Sequence, residues 1–388
     1  MKIAALALSP LEVPLLEPFV IANAAMTATR AVLVRVVAAS ARGAGAVRLE
    51  GLGEAAALYP VTSEDQPGVL AALAAAEPRI VGAELSGPDD VARLCGSLGS
   101  GSLGLGPVAA SGLECALLDA LAKGEGVPLH RLLAPGRAGE AGAGEATLHE
   151  AGAGEPCARE LVTDITLPIA EPQHLAELAR GYRERGFQAF KVKVGSSLAR
   201  DREMLAALAR AVPDARVRLD ANEGFEAREA ILLAEAALKL GLALDCFEQP
   251  CRKDDLAGMA EVVASDLAPV VADESVRSLA DVDALIAARA ADAVNLKLAK
   301  LGGLLPALAV GRRARAAGLR LMAGAMVETR LGLAAMAQLV VALGGVDWVD
   351  LDTAFLLADD PFTGGYAAHG PRLVVGAAAG HGCSLASS

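Results

Sequence analysis

Two hydrophobic patterns follow one another in the first part of the chain. From Met1 to about Pro60, apolar residues form extended runs such as Arg30-Ala-Val-Leu-Val-Arg-Val-Val, which are typical of β-strands. From about Asp65 to Leu133 they recur at helical spacing, and Glu114-Cys-Ala-Leu-Leu-Asp-Ala-Leu indicates one buried helix face. Because strands are followed by helices, we expect a separate α+β module here.

A third pattern begins at Thr163, where short β-branched runs alternate with amphipathic stretches such as Leu198–Ala211 and Arg228–Leu240. The runs predict strands at Asp164–Ile169, Ala189–Val194, Val217–Asp220, Leu242–Glu248, Val270–Asp273, Ala293–Leu298, Leu319–Ala323 and Trp348–Asp352. Eight βα units in so short a segment are typical of a compact parallel (β/α) barrel.

Together the patterns predict an α/β protein, a modified TIM (β/α) barrel with an α+β capping domain. We assign residues 1–135 to the N-terminal capping domain and residues 159–356 to the barrel that carries the active site. Residues 136–158 are rich in Gly, Ala and Glu, so we interpret them as an insertion or linker without a core of its own. Residues 357–388 contain turns and one apolar run, and we expect them to return to the capping domain.

Composition and charge narrow the class of partner. Hydrophobic residues make up 54% of the chain, enough for a large core, whereas aromatic residues make up only 3%, which disfavours stacking on single-stranded nucleic acid. The formal net charge of −12 opposes binding to a phosphate backbone. We therefore expect a small-molecule substrate and no nucleic-acid partner.

No segment predicts membrane insertion or export. The longest apolar run, Leu331–Val346, is shorter than the roughly 20 residues that a transmembrane helix needs. The segment Met1–Leu16 lacks a cleavage signature and is more typical of a first strand. The six cysteines show no Cys-x-x-Cys spacing, and isolated cysteines favour a reducing cytoplasm.

Charged residues recur at the ends of the predicted barrel strands. Lys193, Asp220, Glu248, Asp273, Lys297 and Asp350 are separated by 27, 28, 25, 24 and, across two repeats, 53 positions. Barrel enzymes place their active sites at the carboxyl ends of the strands. We therefore expect these side chains to meet at one mouth of the barrel.

Three of these residues, Asp220, Glu248 and Asp273, are carboxylates on successive strand ends. Hard oxygen ligands without a neighbouring Cys or His pattern suit Mg²⁺, which keeps positions open for substrate oxygens. Each acid alone could equally be a helix cap or a solvated loop residue. Their common register favours a metal site.

Lysines provide candidate bases at the same mouth. Lys191 and Lys193 lie two apart on one strand, so both face the barrel interior, and neighbouring ammonium groups lower each other's pKa. Lys297 lies across the barrel from Lys193. Two such bases could remove a proton on one face of a substrate and return it on the other while a metal stabilises the enolate. The alternative is a charge network in which the lysines only pair with the acids.

These motifs resemble the enolase superfamily, in particular its muconate-lactonizing-enzyme-like subgroup. The similar segments are Phe190-Lys191-Val192-Lys193-Val194-Gly195, Leu219-Asp220-Ala221-Asn222, Phe247-Glu248-Gln249-Pro250, Ala272-Asp273-Glu274-Ser275 and Asn295-Leu296-Lys297-Leu298-Ala299-Lys300-Leu301-Gly302-Gly303. The resemblance also includes Glu17-Pro18-Phe19, Gly53-Glu54-Ala55 and Thr363-Gly364-Gly365, so it extends over nearly the whole chain.

The resemblance implies a set of roles. Mg²⁺ would bind Asp220, Glu248 and Asp273, Lys193 and Lys297 would form the acid/base pair, Lys191 would contact substrate, and Asn222, Glu274, Asn295 and Glu328 would support these groups. It also implies a homo-oligomer.

Within the subgroup the chain is most similar to dipeptide epimerases, whose mark is an Asp-x-Asp after the eighth strand, here Asp350-Leu351-Asp352. Two carboxylates facing one mouth could bind the α-ammonium group of a free dipeptide. The dipeptide carboxylate would then meet the metal, with the adjacent Cα–H between the lysines. A turn or cap pair is the other interpretation of these two aspartates.

Side-chain selectivity is expected to come from a loop of the capping domain. The segment Pro18–Thr29 carries no charge and includes Asn23 and Met26, and we expect Tyr59 to join it. Because the loop lacks Arg and Lys, it favours dipeptides with an apolar or uncharged residue.

Other functions are compatible with parts of this pattern. Muconate cycloisomerisation, o-succinylbenzoate synthesis and N-acylamino acid racemisation would use the same lysines and metal, but none requires an ammonium site at Asp350 and Asp352. A Schiff-base aldolase would need one lysine and no three acids in register. A barrel that serves only as an interaction scaffold is the remaining alternative.

Overall fold

The computed structural model describes residues 1–22, 24–40, 47–99, 104–134 and 159–386. The insertion expected at 136–158 lies outside these described residues. The strands are β1 (Lys2–Leu11), β2 (Pro14–Ile21), β3 (Ala24–Ala28), β4 (Ala31–Ser40), β5 (Val47–Ala56), β6 (Arg159–Val162), β7 (Ile165–Leu167), β8 (Ala189–Lys193), β9 (Arg216–Asp220), β10 (Ala243–Glu248), β11 (Val270–Ala272), β12 (Ala293–Leu296), β13 (Arg320–Gly324), β14 (Trp348–Asp350), β15 (Phe362–Gly364), β16 (Tyr366–His369), β17 (Arg372–Val375) and β18 (Cys383–Leu385).

The helices are α1 (Gln66–Ile80), α2 (Pro88–Leu98), α3 (Pro107–Glu125), α4 (Leu129–Leu132), α5 (Pro172–Glu184), α6 (Leu198–Ala211), α7 (Ala227–Lys239), α8 (Leu256–Ala264), α9 (Leu279–Ala288), α10 (Leu298–Leu301), α11 (Leu304–Ala316) and α12 (Arg330–Leu343), with a 3-10 helix at Thr353–Phe355. Within the described part of the chain, no helix has the length and apolar character required to span a bilayer.

The capping domain is an antiparallel sheet, in the order β1-β4-β5, packed on helices α1 to α3. Strand β5 and helix α3 approach unusually closely because glycines face each other. A Cβ atom built on Gly53 would lie 2.0 Å from Gly112 O, and one on Gly51 would lie 1.9 Å from Ala116 O. Strands β2 and β3 form a separate hairpin.

The predicted parallel barrel is confirmed. Strands β7 to β14 follow one another in sequence order in one eight-stranded sheet, and the parallel bridge between Thr163 and Val349 joins the last strand to the first. Helix α6 has the predicted bounds, whereas β7 is shorter than the predicted Asp164–Ile169. After β14 the chain forms the 3-10 helix instead of an eighth α-helix.

An apolar layer fills the barrel directly beneath its carboxyl-terminal mouth. It consists of the buried residues Cys246, Val271, Ala293, Met322 and Trp348. Each lies two positions before the residue that its strand presents at the mouth, because alternate strand residues share a face. The mouth therefore rests on a packed apolar floor on the side of β10 to β14, whereas Lys191 and Arg218 occupy the equivalent positions on β8 and β9.

The C-terminal segment links the two domains. Strand β17 pairs with both β16 and β6, so Arg159–Val162 belongs to this small sheet and not to the barrel sheet to which residues 159–356 were assigned. Farther on, Gly380 N donates to Val127 O (3.0 Å) and His381 N donates to Asp119 Oδ1 (3.0 Å) in the capping domain.

The close approach of β5 and α3 generates a stability prediction. We expect Gly53→Ala to lower the free energy of unfolding by about 1–3 kcal/mol, because the new methyl group overlaps backbone atoms that cannot rotate away. Gly181, exposed within α5 and without a neighbour within 4 Å of a built Cβ, is the matched control. Gly181→Ala should stabilise by about 0.5–1 kcal/mol in the same urea titrations. Equal effects of the two substitutions would contradict the steric explanation.

Candidate active site

The strand register aligns the predicted catalytic and metal-binding side chains. Lys193 is paired with Asp220 across β8 and β9, and Asp220 with Glu248 across β9 and β10. Asp273 follows β11 directly and Lys297 follows β12. All five are buried. Residues that lie one βα repeat apart in the sequence therefore form one row of charges around the barrel mouth.

Lysine ammonium groups bridge the three acids. Lys191 Nζ lies 3.0 Å from Asp220 Oδ2 and 2.8 Å from Glu248 Oε2. Lys193 Nζ donates to Asp220 Oδ2 (2.6 Å), and Lys297 Nζ donates to Asp273 Oδ2 (3.0 Å). The acids therefore converge on a region that accommodates positive charge.

Asp220 and Asp273 are held in the ionised form. Burial alone would raise the pKa of each, but Lys191 and Lys193 more than offset it at Asp220, so that its pKa lies well below the usual range. Lys297 and Lys300 have the same effect on the pKa of Asp273. Both carboxylates are thus prepared to bind a cation at neutral pH.

The expected lowering of the pKa by a neighbouring ammonium group is wrong for Lys191. Burial lowers the pKa of Lys191, but Asp220, Asp350 and Glu248 together raise it well above its ordinary value. Burial likewise lowers the pKa of Lys297, but Asp273 outweighs this effect and raises it. Each ammonium group has carboxylates as its nearest charged neighbours, so attraction dominates over repulsion.

Two predicted supporting amides contact the row directly. Asn222 Oδ1 accepts from Lys193 Nζ (3.2 Å), while its Nδ2 donates to Glu274 Oε1 (3.2 Å). Asn295 Nδ2 donates to Glu248 Oε1 (2.8 Å). These amides fix the direction in which a lysine and an acid face the mouth.

Two contributors to the row escaped the sequence argument. Lys300, in the short helix α10, donates to Asp273 Oδ1 and to its carbonyl oxygen. Gln249 Oε1 accepts from Asp273 N (2.8 Å), and its Nε2 donates to Ser275 Oγ (2.8 Å). Both residues stood inside the quoted motifs, but neither occupies a strand-end position with the right spacing.

The Asp-x-Asp pair lies at the opposite side of the mouth. Asp350 Oδ2 accepts from Lys191 Nζ (2.8 Å), and Asp352 Oδ2 accepts from Thr166 N (2.5 Å). Burial, followed by repulsion from Asp350, raises the pKa of Asp352 to about 6. A third acid, Asp164, brings one carboxylate oxygen within 4.8 Å of both. The sequence argument missed Asp164 because it stands at the start of its predicted strand, whereas the argument considered only carboxyl-terminal strand ends.

Glu328 meets a glutamate of the capping domain. Glu54 on β5 accepts from Thr329 N (3.1 Å), Thr329 Oγ1 (2.5 Å) and Gly332 N (3.1 Å) at the start of α12. Glu328 Oε1 accepts from Met326 N (2.9 Å). Burial, then repulsion from Glu328, raises the pKa of Glu54 to about 8, so two acids meet at the boundary between the domains.

A pocket above the charges is closed by the capping domain. Its apolar wall consists of Phe19, Ile21, Met26, Leu58 and Val61, and its polar floor includes Thr166, Lys191, Lys193, Asn222, Lys297, Asp350 and Asp352. Tyr59 is 70% exposed and does not line this pocket, whereas its neighbours Leu58 and Val61 do, so its contact with substrate stays a prediction. Asn23 lies outside the described residues.

The fold and this site define a barrel enzyme with acid and base groups at the carboxyl ends of its strands. Residues 5–134 match the mandelate racemase/muconate lactonizing enzyme N-terminal domain, and residues 174–388 match the enolase C-terminal domain-like family. The chain therefore belongs to the mandelate racemase/muconate lactonizing enzyme family of the enolase superfamily.

Individual relatives are similar over nearly their whole length. An L-Ala-D/L-amino acid epimerase of Populus trichocarpa is 37% identical over 96% of this chain and 82% of its own. An aromatic dipeptide epimerase of Herpetosiphon aurantiacus is 34% identical over 99% of both. The crystal structure of an Enterococcus faecalis dipeptide epimerase, complexed with Mg and the dipeptide L-Leu-L-Tyr, is 28% identical with a TM-score of 0.85, covering 99% of this chain and 100% of that one.

The amide at Asn295 generates a prediction about metal binding. We expect Asn295→Leu, which removes the donor to Glu248 without adding charge, to weaken Mg²⁺ binding by about 10–100-fold, as measured by calorimetry. Gln173→Leu, which changes an exposed amide on α5 whose partner is Glu177, is the control and should bind Mg²⁺ like the wild type. Unchanged affinity in a folded Asn295→Leu protein would contradict a role of Glu248 as a ligand.

Proposed function

We propose that this protein is a Mg²⁺-dependent dipeptide epimerase that inverts the α-carbon of the C-terminal residue by a two-base 1,1-proton transfer. The observation that carries the proposal is the arrangement of Lys193 and Lys297 around the buried carboxylate row, beneath a pocket that also contains the Asp350–Asp352 pair. The two lysines supply the bases, the carboxylate row suits a divalent cation, and the Asp350–Asp352 pair suits an ammonium group.

The residues that would hold Mg²⁺ are Asp220, Glu248 and Asp273. They supply only hard carboxylate oxygens, two of them are kept ionised, and all face ammonium groups at distances typical of charge-assisted contacts. Bound there, Mg²⁺ would stabilise the negative charge that develops on the substrate carboxylate when the Cα proton leaves. A cation bound to these acids would offset their negative charge, and so would also weaken the attraction that raises the pKa of Lys297.

Asp164, Asp350 and Asp352 form a second group of close carboxylates. Arg218 donates to Asp164 Oδ2 (2.7 Å), and Thr166 N donates to Asp352, so their charge is partly compensated by the protein itself. Asp350 and Asp352 face the pocket, whereas Asp164 does not. This arrangement suits the terminal ammonium group of a substrate better than a resident metal ion.

The two lysines divide the proton transfer between them. Lys193 would remove the Cα proton from one epimer while the Lys297 ammonium group donates on the opposite face, and the roles reverse for the other epimer. Asn222 orients Lys193 and Asp273 orients Lys297. The apolar wall of the pocket would limit access of water to the carbanionic intermediate.

The wall also supports a preference among substrates. Phe19, Ile21 and Met26 of the β2–β3 hairpin present only apolar surface. The cations that line the described part of the pocket are Lys191, Lys193 and Lys297, each already paired with carboxylates of the site. A carboxylate side chain would be buried there without a partner, which is unfavourable. We therefore propose dipeptides whose C-terminal residue is apolar or uncharged.

Two broader features belong to the proposal. The cysteines within the described residues (Cys95, Cys115, Cys246, Cys251 and Cys383) are all free, which supports a reducing cytoplasm as the location. A homo-oligomeric state is supported by the family resemblance.

The lysines provide the central test. In D₂O with Mg²⁺ and a panel of L,L-dipeptides, we expect the wild type to introduce one deuteron at the Cα of the C-terminal residue, faster for leucine or phenylalanine than for glutamate. Lys193→Ala and Lys297→Ala should each lower the inversion rate by about 10²–10⁴-fold. Each variant should still exchange one epimer without inverting it, and the two should differ in which epimer. Mass spectrometry and chiral chromatography measure both.

Lys239→Ala, which changes an exposed lysine at the end of α7 whose partner is Glu235, is the matched control and should behave like the wild type. Absence of exchange on every dipeptide would overturn the dipeptide assignment. A fast reaction with N-acylamino acids would then favour the racemase alternative.

The carboxylate pair distinguishes free dipeptides from acylated substrates. We expect Asp352→Asn to raise KM for L-Ala-L-Leu by about tenfold or more, because a charge-assisted contact of about 1.5–3 kcal/mol with the ammonium group is lost. Binding of N-acetyl-L-Ala-L-Leu, measured as competitive inhibition, should change little. Equal weakening of both ligands would argue against an ammonium site.

A further inference from the structure

A buried ion pair lies beneath the Asp-x-Asp pair and has no part in the mechanism described above. Asp164, immediately before β7, is fully buried, and Arg218 in the middle of β9 is 6% exposed. Arg218 donates through one nitrogen to Asp164 Oδ2 (2.7 Å) and to Val349 O (2.9 Å). Val349 directly precedes Asp350, so the pair contacts the strand that carries the ammonium site.

The backbone ties the same two strands together. Asp164 N donates to Val349 O (3.2 Å), and Leu351 N donates to Thr163 Oγ1 (2.8 Å). Thr166 N, two positions after Asp164, donates to Asp352 Oδ2 (2.5 Å). The segment around Asp164 therefore fixes both the main chain of the Asp-x-Asp motif and one of its carboxylates.

The charges in this region do not balance. Asp164, Asp350 and Asp352 have carboxylate oxygens within 4.8 Å of one another, whereas the cations beside them are Arg218 and Lys191. Lys191 is shared with two acids of the metal row, so it cannot neutralise Asp350 alone. When all three carboxyl groups are ionised, they are left at least one positive charge short.

Two observations agree with this deficit. Asp164 Oδ1 is buried and has no hydrogen-bond partner among the described residues. Burial and repulsion from Asp350 raise the pKa of Asp164, although Arg218 opposes the shift. An additional cation near Asp350 and Asp352 would reduce the repulsion among the three carboxylates and so favour their ionised form. The pocket gives a substrate ammonium group access to this position.

Within the protein, Arg218 is the cation that competes with a substrate ammonium group for Asp350 and Asp352. Its guanidinium group is attracted by Asp350 as well as by Asp164, and its Nε has no hydrogen-bond partner in the described structure, lying 3.6 Å from Asp245 Oδ2. A buried guanidinium group cannot lose its proton. Without Asp164, the 3.6 Å contact with Asp245 would compensate this positive charge less well, and the remainder would act on the Asp-x-Asp pair.

We propose that Asp164 is a positioning residue that holds Arg218 away from Asp350 and so keeps the Asp350–Asp352 pair negative for a substrate ammonium group. The inference rests on the proposed dipeptide substrate. It adds a buried third carboxylate, without contact to substrate, that sets the charge of this subsite.

The test is a double-mutant cycle with L-Ala-L-Leu as the probe. We expect Asp164→Asn to weaken binding of this dipeptide by roughly tenfold or more, because an uncompensated Arg218 then repels the ammonium group. Combining it with Arg218→Gln, which removes the charge and retains a donor for Val349 O, should recover most of the affinity. Calorimetry measures binding directly, and KM and kcat should show the loss mainly in KM.

N-acetyl-L-Ala-L-Leu separates charge from folding. Its affinity should be the same in all four proteins of the cycle, since it lacks the ammonium group. Failure of the double variant to recover binding, or equal weakening of the acetylated ligand, would overturn the role of Asp164. If instead the wild type neither binds nor exchanges any dipeptide, the proposed function fails, which is a different result.

Discussion

The structure depends on the burial of like charges that are kept together by opposite ones. Asp220, Glu248 and Asp273 occupy neighbouring strand ends and are buried from solvent, so their mutual repulsion is poorly screened. Lys191 and Lys297 offset that repulsion and are held in place by it. The parallel barrel thus brings these residues, which are far apart in sequence, into one site, and the charge of each influences the protonation of its neighbours.

The boundary between the domains serves this network. Glu54 places an acidic side chain of the capping domain on the first turn of α12, where it accepts hydrogen bonds from the free amide groups of Thr329 and Gly332. Glu328 beside it belongs to the loop that follows β13. The contact therefore ties strand β5 of the capping domain to the loop and helix that follow β13 in the barrel.

Much of the architecture could be predicted because it is repetitive. Period-two and helical patterns located the barrel strands within a few residues, and the regular interval from Lys193 to Lys297 located the mouth. Strand β6 was misassigned because its partner, β17, lies more than 200 positions away, and local pattern does not encode such pairing.

The chemistry of the site was less accessible from the sequence. Spacing identifies which side chains share a mouth, but a lysine pKa depends on how many carboxylates surround it in three dimensions, and the expectation for Lys191 had the wrong sign. Asp164 and Arg218 lie below the strand ends and so fell outside the pattern that identified the others. Tyr59 illustrates the converse, because a residue in the right segment can still be largely exposed to solvent.

The division of labour between hairpin and barrel has an evolutionary consequence. Three residues of the apolar wall, Phe19, Ile21 and Met26, come from β2 and β3, which share no strand with the barrel sheet. Substitutions in that hairpin can alter shape and polarity without moving any base or acid. A new substrate range can therefore evolve in this fold through substitutions in the β2–β3 hairpin, while the charged residues at the barrel mouth stay the same.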